Sequence, residues 1–202
     1  GHEHPVFALD LRSDAAQLAT ADESGRVIVW NPVTGSELGR FEVGACVQAI
    51  ALHPYDTLVA LATPCIAHLD RGVAQRGRVQ IYDWQRGTLE GEATTGGIAP
   101  IELVYSSKGA VLAAAVGSEV TVFNALGENA GSFPLRAPVH AVAFAPDDQQ
   151  MAIALYGGEV LLYDFGFTRL RTVAAPFRGV HSLAFSPDSQ RLLCGDNDGY
   201  VV

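Results

Sequence analysis

At 202 residues the chain is long enough to bury a substantial core, and 49% hydrophobic against 17% charged residues excludes a disordered polymer. A net charge of −9, with no basic run to reverse it locally, argues against nucleic acid and anionic membrane as partners. No apolar run approaches the roughly 20 residues of a membrane-crossing helix, the start GHEHPVFALD is no signal peptide, and Cys46, Cys65 and Cys194 are too few for a disulfide framework.

The predicted elements repeat along the chain. The first unit, about 1–43, opens with VFALDLRSD from Val6, an alternating strand running into a turn. A second apolar run (QLATA), a third strand ending on Trp30-Asn31 (GRVIVWN) and a more polar fourth (SELGRFEV) complete it. The second unit, about 44–95, reads VQAIALHPY, LVALA, GRVQIYD and GTLEGEAT, with its third strand ending on Tyr82-Asp83. It carries about eleven extra residues, an insertion around 63–76 that reads as a surface loop. The third unit, about 96–135, reads PIELVYSSK, VLAAA, SEVTVFN (ending Phe123-Asn124) and NAGSFPL. The fourth, about 136–175, reads VHAVAFAPD, MAIAL, GEVLLYD (ending Tyr163-Asp164) and TRLRTVAA. A partial fifth, about 176–202, reads VHSLAFSPD, RLLCG and then GDNDGYVV, which stops before its aromatic position.

The opening strands are spaced by 41, 53, 39 and 41 residues. Four short strands per repeat, without helical periodicity, make a small antiparallel sheet that cannot hide both faces alone. Radial stacking, each sheet covering the next, solves this, so the expected fold is an all-β propeller. Small residues on the opening strands (Ala49, Ala51, Ala141, Ala143, Ser182, Ala184) fit convergence towards an axis; Asp10 and Glu102 are the charges at such positions. Four blades and part of a fifth read as an arc of a larger ring, seven blades at this period needing roughly 290 residues.

The period, the turns Phe185-Ser186-Pro187-Asp188 and Phe144-Ala145-Pro146-Asp147, the aromatic-plus-Asp/Asn endings and the Gly1-His2 start resemble the WD-repeat (WD40) family across the whole chain. The resemblance implies a WD40-type propeller, with no cofactor, acting as a scaffold that binds other proteins. In that family a His, a Ser/Thr, an Asp and a Trp often tie one blade together. Here His2, Thr20 and Trp30 could supply three members, while Ser24 occupies the aspartate position and only Asp198, in the last unit, fits it. No blade is therefore expected to hold the full set; His2, Thr20, Trp30, Tyr82, Phe123, Tyr163 and Asp198 stand as structural blade residues.

Functional residues are sought where the repeat varies. The position after each opening residue holds Phe7, Gln48, Ile101, His140 and His181, which the resemblance places near the channel rim used for peptides. Gln48, His140 and His181, with Arg136, Arg178, Asp22 and Glu23 from loops on the same face, are candidate partner contacts; the plainer reading is a solvated rim. Arg71, Arg76 and Arg78 make the insertion locally basic and add a second candidate contact. Cys65, His68 and Asp70 are metal-ligand types, but no second pair stands nearby, so no metal is expected. No phosphate loop or nucleophile elbow is present; Asp10 and Glu102 are a conceivable glycosidase-type carboxylate pair with nothing else behind them. The sequence thus reads as a non-enzymatic scaffold within a larger intracellular assembly. The alternatives are an architectural propeller of a cytoskeletal, ciliary or coat-type complex and, behind it, a hydrolase or small-ligand propeller.

Overall fold

A computed structural model describes residues 1–69, 72–96, 98–174, 179–196, 198–199 and 201, with backbone only at 65–69, 72–76 and 174. The first antiparallel sheet contains β1 (Val6–Leu11), β2 (Leu18–Asp22), β3 (Arg26–Trp30) and β4 (Glu37–Glu42) in that spatial order. The second contains β5 (Ala49–Leu52), β6 (Leu58–Leu69), β7 (Gly72–Asp83) and β8 (Thr88–Thr94). The third contains β9 (Glu102–Tyr105), β10 (Val111–Val116), β11 (Glu119–Asn124) and β12 (Asn129–Pro134). The fourth contains β13 (Val139–Phe144), β14 (Gln150–Leu155), β15 (Glu159–Asp164) and β16 (Arg169–Ala174). A two-stranded sheet, β17 (Val180–Phe185) and β18 (Leu192–Asp196), follows, with a bridge from Gly195 to Val201.

One register serves every sheet. The first hairpin closes on an apolar pair, Leu11 opposite Leu18, and the same pair recurs as Leu52–Val59, Tyr105–Leu112, Phe144–Met151 and Phe185–Leu192. The aromatic ending the third strand then lies across from the second member: Trp30 opposite Leu18, Tyr82 opposite Val59, Phe123 opposite Leu112, Tyr163 opposite Met151. A bulge adjoins each of these aromatics in the pairing to the fourth strand, adding twist where the sheet fans outward. The Asp or Asn beyond the aromatic caps the next turn: Asn31, Asp83 and Asn124 each accept two backbone N–H bonds, and Asp164 accepts one from Thr168.

Successive sheets bury apolar faces against each other. Ala8, Ala19, Ala21, Val27 and Val29 of the first pack on Ile50, Leu52, Val59 and Leu61 of the second. Comparable seams join second to third through Ala60, Ala62 and Leu112, third to fourth through Val122 and Met151, and fourth to fifth through Ala152, Leu162 and Val180. Alanine dominates near the inner strands because convergence leaves room for little else.

The insertion is not a loop. β6 and β7 run on in unbroken register from Leu58–Asp83 to Leu69–Gly72, so the extra residues form a ribbon growing out of the sheet. Asp70 and Arg71 lie outside the described residues, and nothing is placed for the side chains of Cys65, His68 and Arg76.

The expectation that no blade has the full hydrogen-bond set is corrected by the first sheet. Asp22, eight residues before Trp30 rather than six, supplies the carboxylate in place of Ser24, and its side chain is fully buried. His2 Nδ1 lies 2.8 Å from Asp22 Oδ2 and His2 Nε2 lies 2.7 Å from Thr20 Oγ1, which accepts the Trp30 indole N–H at 2.7 Å. The other Asp22 oxygen accepts from the Ser24 backbone and hydroxyl and from the Arg26 backbone. Burial opposes the charge, but the Ser24 hydroxyl, His2 and those amides outweigh it and hold the carboxyl well below its usual range. In the fifth unit Asp196, not Asp198, is the counterpart, accepting the Asp198 N–H as Asp22 accepts that of Ser24.

On the face carrying the first hairpin turns, polar clips join neighbouring sheets. His53 Nε2 donates to the Gly109 carbonyl at 3.1 Å, while its Nδ1 accepts from Asp56 N–H at 2.9 Å, which sets the tautomer. Asp148 accepts from Ser107 and Lys108 N–H at 2.7 and 2.8 Å, and Ser189 Oγ accepts from Asp147 N–H at 3.1 Å. Gly109, Asp148 and Ser189 occupy the same turn position and all have positive φ.

Two substitutions test these features. A Cβ at Gly109 would sit 2.1 Å from His53 Nε2 at a φ of +74°, so Gly109→Ala should lose about 2–4 kcal/mol in urea denaturation, and less in a His53→Ala background. Thr20→Val leaves the Trp30 N–H and His2 unmatched and should lose about 1–3 kcal/mol, with faster amide exchange confined to β1–β3.

Candidate functional site

Of the residues following each opening position, Phe7, Gln48 and Ile101 line the central groove, and His140 and His181 follow at the same register on the fourth and fifth sheets. Phe7 is 60% exposed and Ile101 48%; Gln48 and His181 are exposed and His140 is half-buried. The two histidines meet across the seam between fourth and fifth sheets, ring centres 4.2 Å apart and planes tilted by 43°. Tyr156, in the turn between β14 and β15, stands edge-on to His140 at 5.3 Å and is 67% exposed. Burial first, then the His181 charge, holds His140 below its usual pKa, favouring neutral imidazole.

The other predicted contacts fare unevenly. Asp22 is corrected: it is buried in the hydrogen-bond chain and offers nothing to a partner. Glu23 is exposed beside it. Arg136 pairs with Glu159 of β15, and Arg78 with Glu92 of β8 at 3.3 Å, so both are engaged within their own sheets. Arg178 lies outside the described residues, as does Arg71. Tyr156 escaped sequence reasoning, although an aromatic before the Gly157-Gly158 turn, where the first sheet has Glu23, was the available sign.

Below the rim, β1, β5 and β9 line a groove of about 540 Å³ containing Asp10 and Glu102. Neither carboxylate is idle. Asp10 accepts the Leu52 N–H at 2.7 Å and Glu102 the Val142 N–H at 2.6 Å, each reaching the inner strand of the next sheet. Burial raises both, Glu102 to about 7, against the lowering effect of these bonds. Burial also raises the thiols of Cys46 and Cys194, with Glu23 and Asp22 adding to the effect at Cys46, so neither is an activated nucleophile. Among the described residues no three His, Cys, Asp or Glu side chains gather to hold an ion.

Four-stranded antiparallel sheets, packed face to face with the first strand of each innermost, are the blades of a β-propeller. The family model described as WD domain, G-beta repeat, matches residues 1–31 and 167–202, in keeping with the repeat read from the sequence. No curated protein matches the sequence.

Glu102 offers a pH test. The folded state retains a proton that the unfolded chain releases between about 4.5 and about 7, so wild-type stability falls as pH rises through that window. Glu102→Gln, which imitates the protonated group, should match wild type at pH 4 and exceed it by about 1–3 kcal/mol at pH 8 in paired urea titrations.

Proposed function

We propose that the chain is a non-enzymatic scaffold whose channel rim receives another protein within a larger intracellular assembly. WD40 repeats generally mediate protein–protein interaction, and WD-repeat proteins are typically not enzymes. The observation that carries the reading is the rim itself. The starts of consecutive inner strands carry Phe7, Gln48, Ile101, His140 and His181 in a series with Tyr156, and none of these is a carboxylate, lysine or arginine. Such a surface suits the apolar and aromatic side chains of a protein partner, and its rigidity lowers the ordering cost of binding. The engagement of Asp10 and Glu102 with backbone amides supports a structural rather than hydrolytic role for that pair.

A second reading, an architectural element, draws on exposed apolar side chains of β1. Leu9 and Leu11 are 67% and 49% exposed at positions where Ile50 and Leu52 of the second sheet are buried. Monomeric behaviour of the protein with high stability would remove its basis.

The scaffold reading is tested by photo-crosslinking. A benzoylphenylalanine at position 101 or 156 should capture a discrete partner in cells, whereas one at exposed Val33 or Tyr55, in turns at the opposite end of the sheets, should not. Equal capture at both ends, or none at the rim, would overturn the assignment.

A further inference from the structure

We propose that His140 and His181 form a two-imidazole site for a borderline transition-metal ion of the Zn²⁺, Ni²⁺ or Cu²⁺ type, bridging the fourth and fifth sheets. The proposal stands apart from the scaffold reading and needs no protein partner. It rests on placement. The two side chains project from equivalent positions of adjacent inner strands, β13 and β17, with ring centres 4.2 Å apart. Their planes converge at 43° instead of stacking in parallel, so the in-plane lone pairs can be turned towards a common point.

Zn–N bonds of about 2.0–2.1 Å place two nitrogens on one tetrahedral ion a little over 3 Å apart. The rings are already this close, with centres 4.2 Å apart, and His181 is exposed, so the proposed ion needs only a turn of that side chain about its own bonds. His140 Nδ1 is buried at the seam, where the ring also meets the Val180 backbone. Tyr156 packs edge-on against the His140 ring.

Water completes the coordination on the open side, so the ion is exchangeable and held weakly. Hard ions such as Mg²⁺, which prefer oxygen, should be rejected. Because the ligands come from two sheets, binding adds a cross-link at the seam between the fourth and fifth sheets.

The test is thermal unfolding of the full chain at pH 7.5 with 1 mM ZnCl₂, NiCl₂ or MgCl₂. Zinc and nickel should each raise Tm by about 2–5 °C, reversibly with EDTA, and magnesium should not. His181→Gln, at an exposed position, should keep the metal-free Tm and lose the shift; His140→Gln should also lose it. With Cu²⁺, electron paramagnetic resonance should show two imidazole nitrogens in the wild type and fewer in each variant. No shift with zinc and nickel, a drop in Tm, or a shift that survives in the double variant would overturn the proposal.

Discussion

Face-to-face packing between neighbouring sheets is the constraint on which the molecule depends. Each of the first four blades is a four-stranded ribbon with two apolar faces, and none has enough area to stand alone in water. Burial at the seams therefore carries most of the stability, and it dictates composition. Ala19, Ala21, Ala60, Ala62, Ala114, Ala152 and Ala154 are essentially inaccessible to solvent, packed where the sheets converge. A larger side chain there would force the sheets apart; a polar one would need a partner that the seam lacks.

Hydrogen bonding refines this arrangement without replacing it. The chain through Trp30, Thr20, His2 and Asp22 exists in one blade, because the Thr20 position is Leu61, Ala114, Ile153 and Cys194 in the others. Those blades have apolar or thiol groups where a hydroxyl would be required. Polar links appear between blades instead, through Asp10, Glu102, His53 and Asp148, each satisfying a backbone group of a neighbouring sheet. Buried carboxylates that would otherwise suggest catalysis act here as staples between inner strands.

Periodicity made the architecture legible, since a repeat of opening strand, turn and aromatic ending translates directly into blades. What escaped was anything depending on contacts between repeats. Asp22 was misread because spacing from Trp30 pointed to Ser24, whereas the hairpin geometry brings the residue two positions earlier onto His2. Asp198 was preferred to Asp196 for the same reason. The insertion looked like a loop because its glycines and charges mask an alternating pairing that only the partner strand reveals. The rim positions were visible as a register, but the meeting of His140 with His181 and Tyr156 needed the angle between two sheets, which no single strand encodes.

The ribbon formed by β6 and β7 shows what the design tolerates. Its added residues extend the pleat outward while the Val59–Tyr82 pair at its base keeps the register found in every other complete blade. Growth at this corner is thus mechanically insulated from the interior. New sequence can be accommodated there by lengthening a hairpin, which makes this the natural point for grafting an epitope or a sensor without rebuilding the rest.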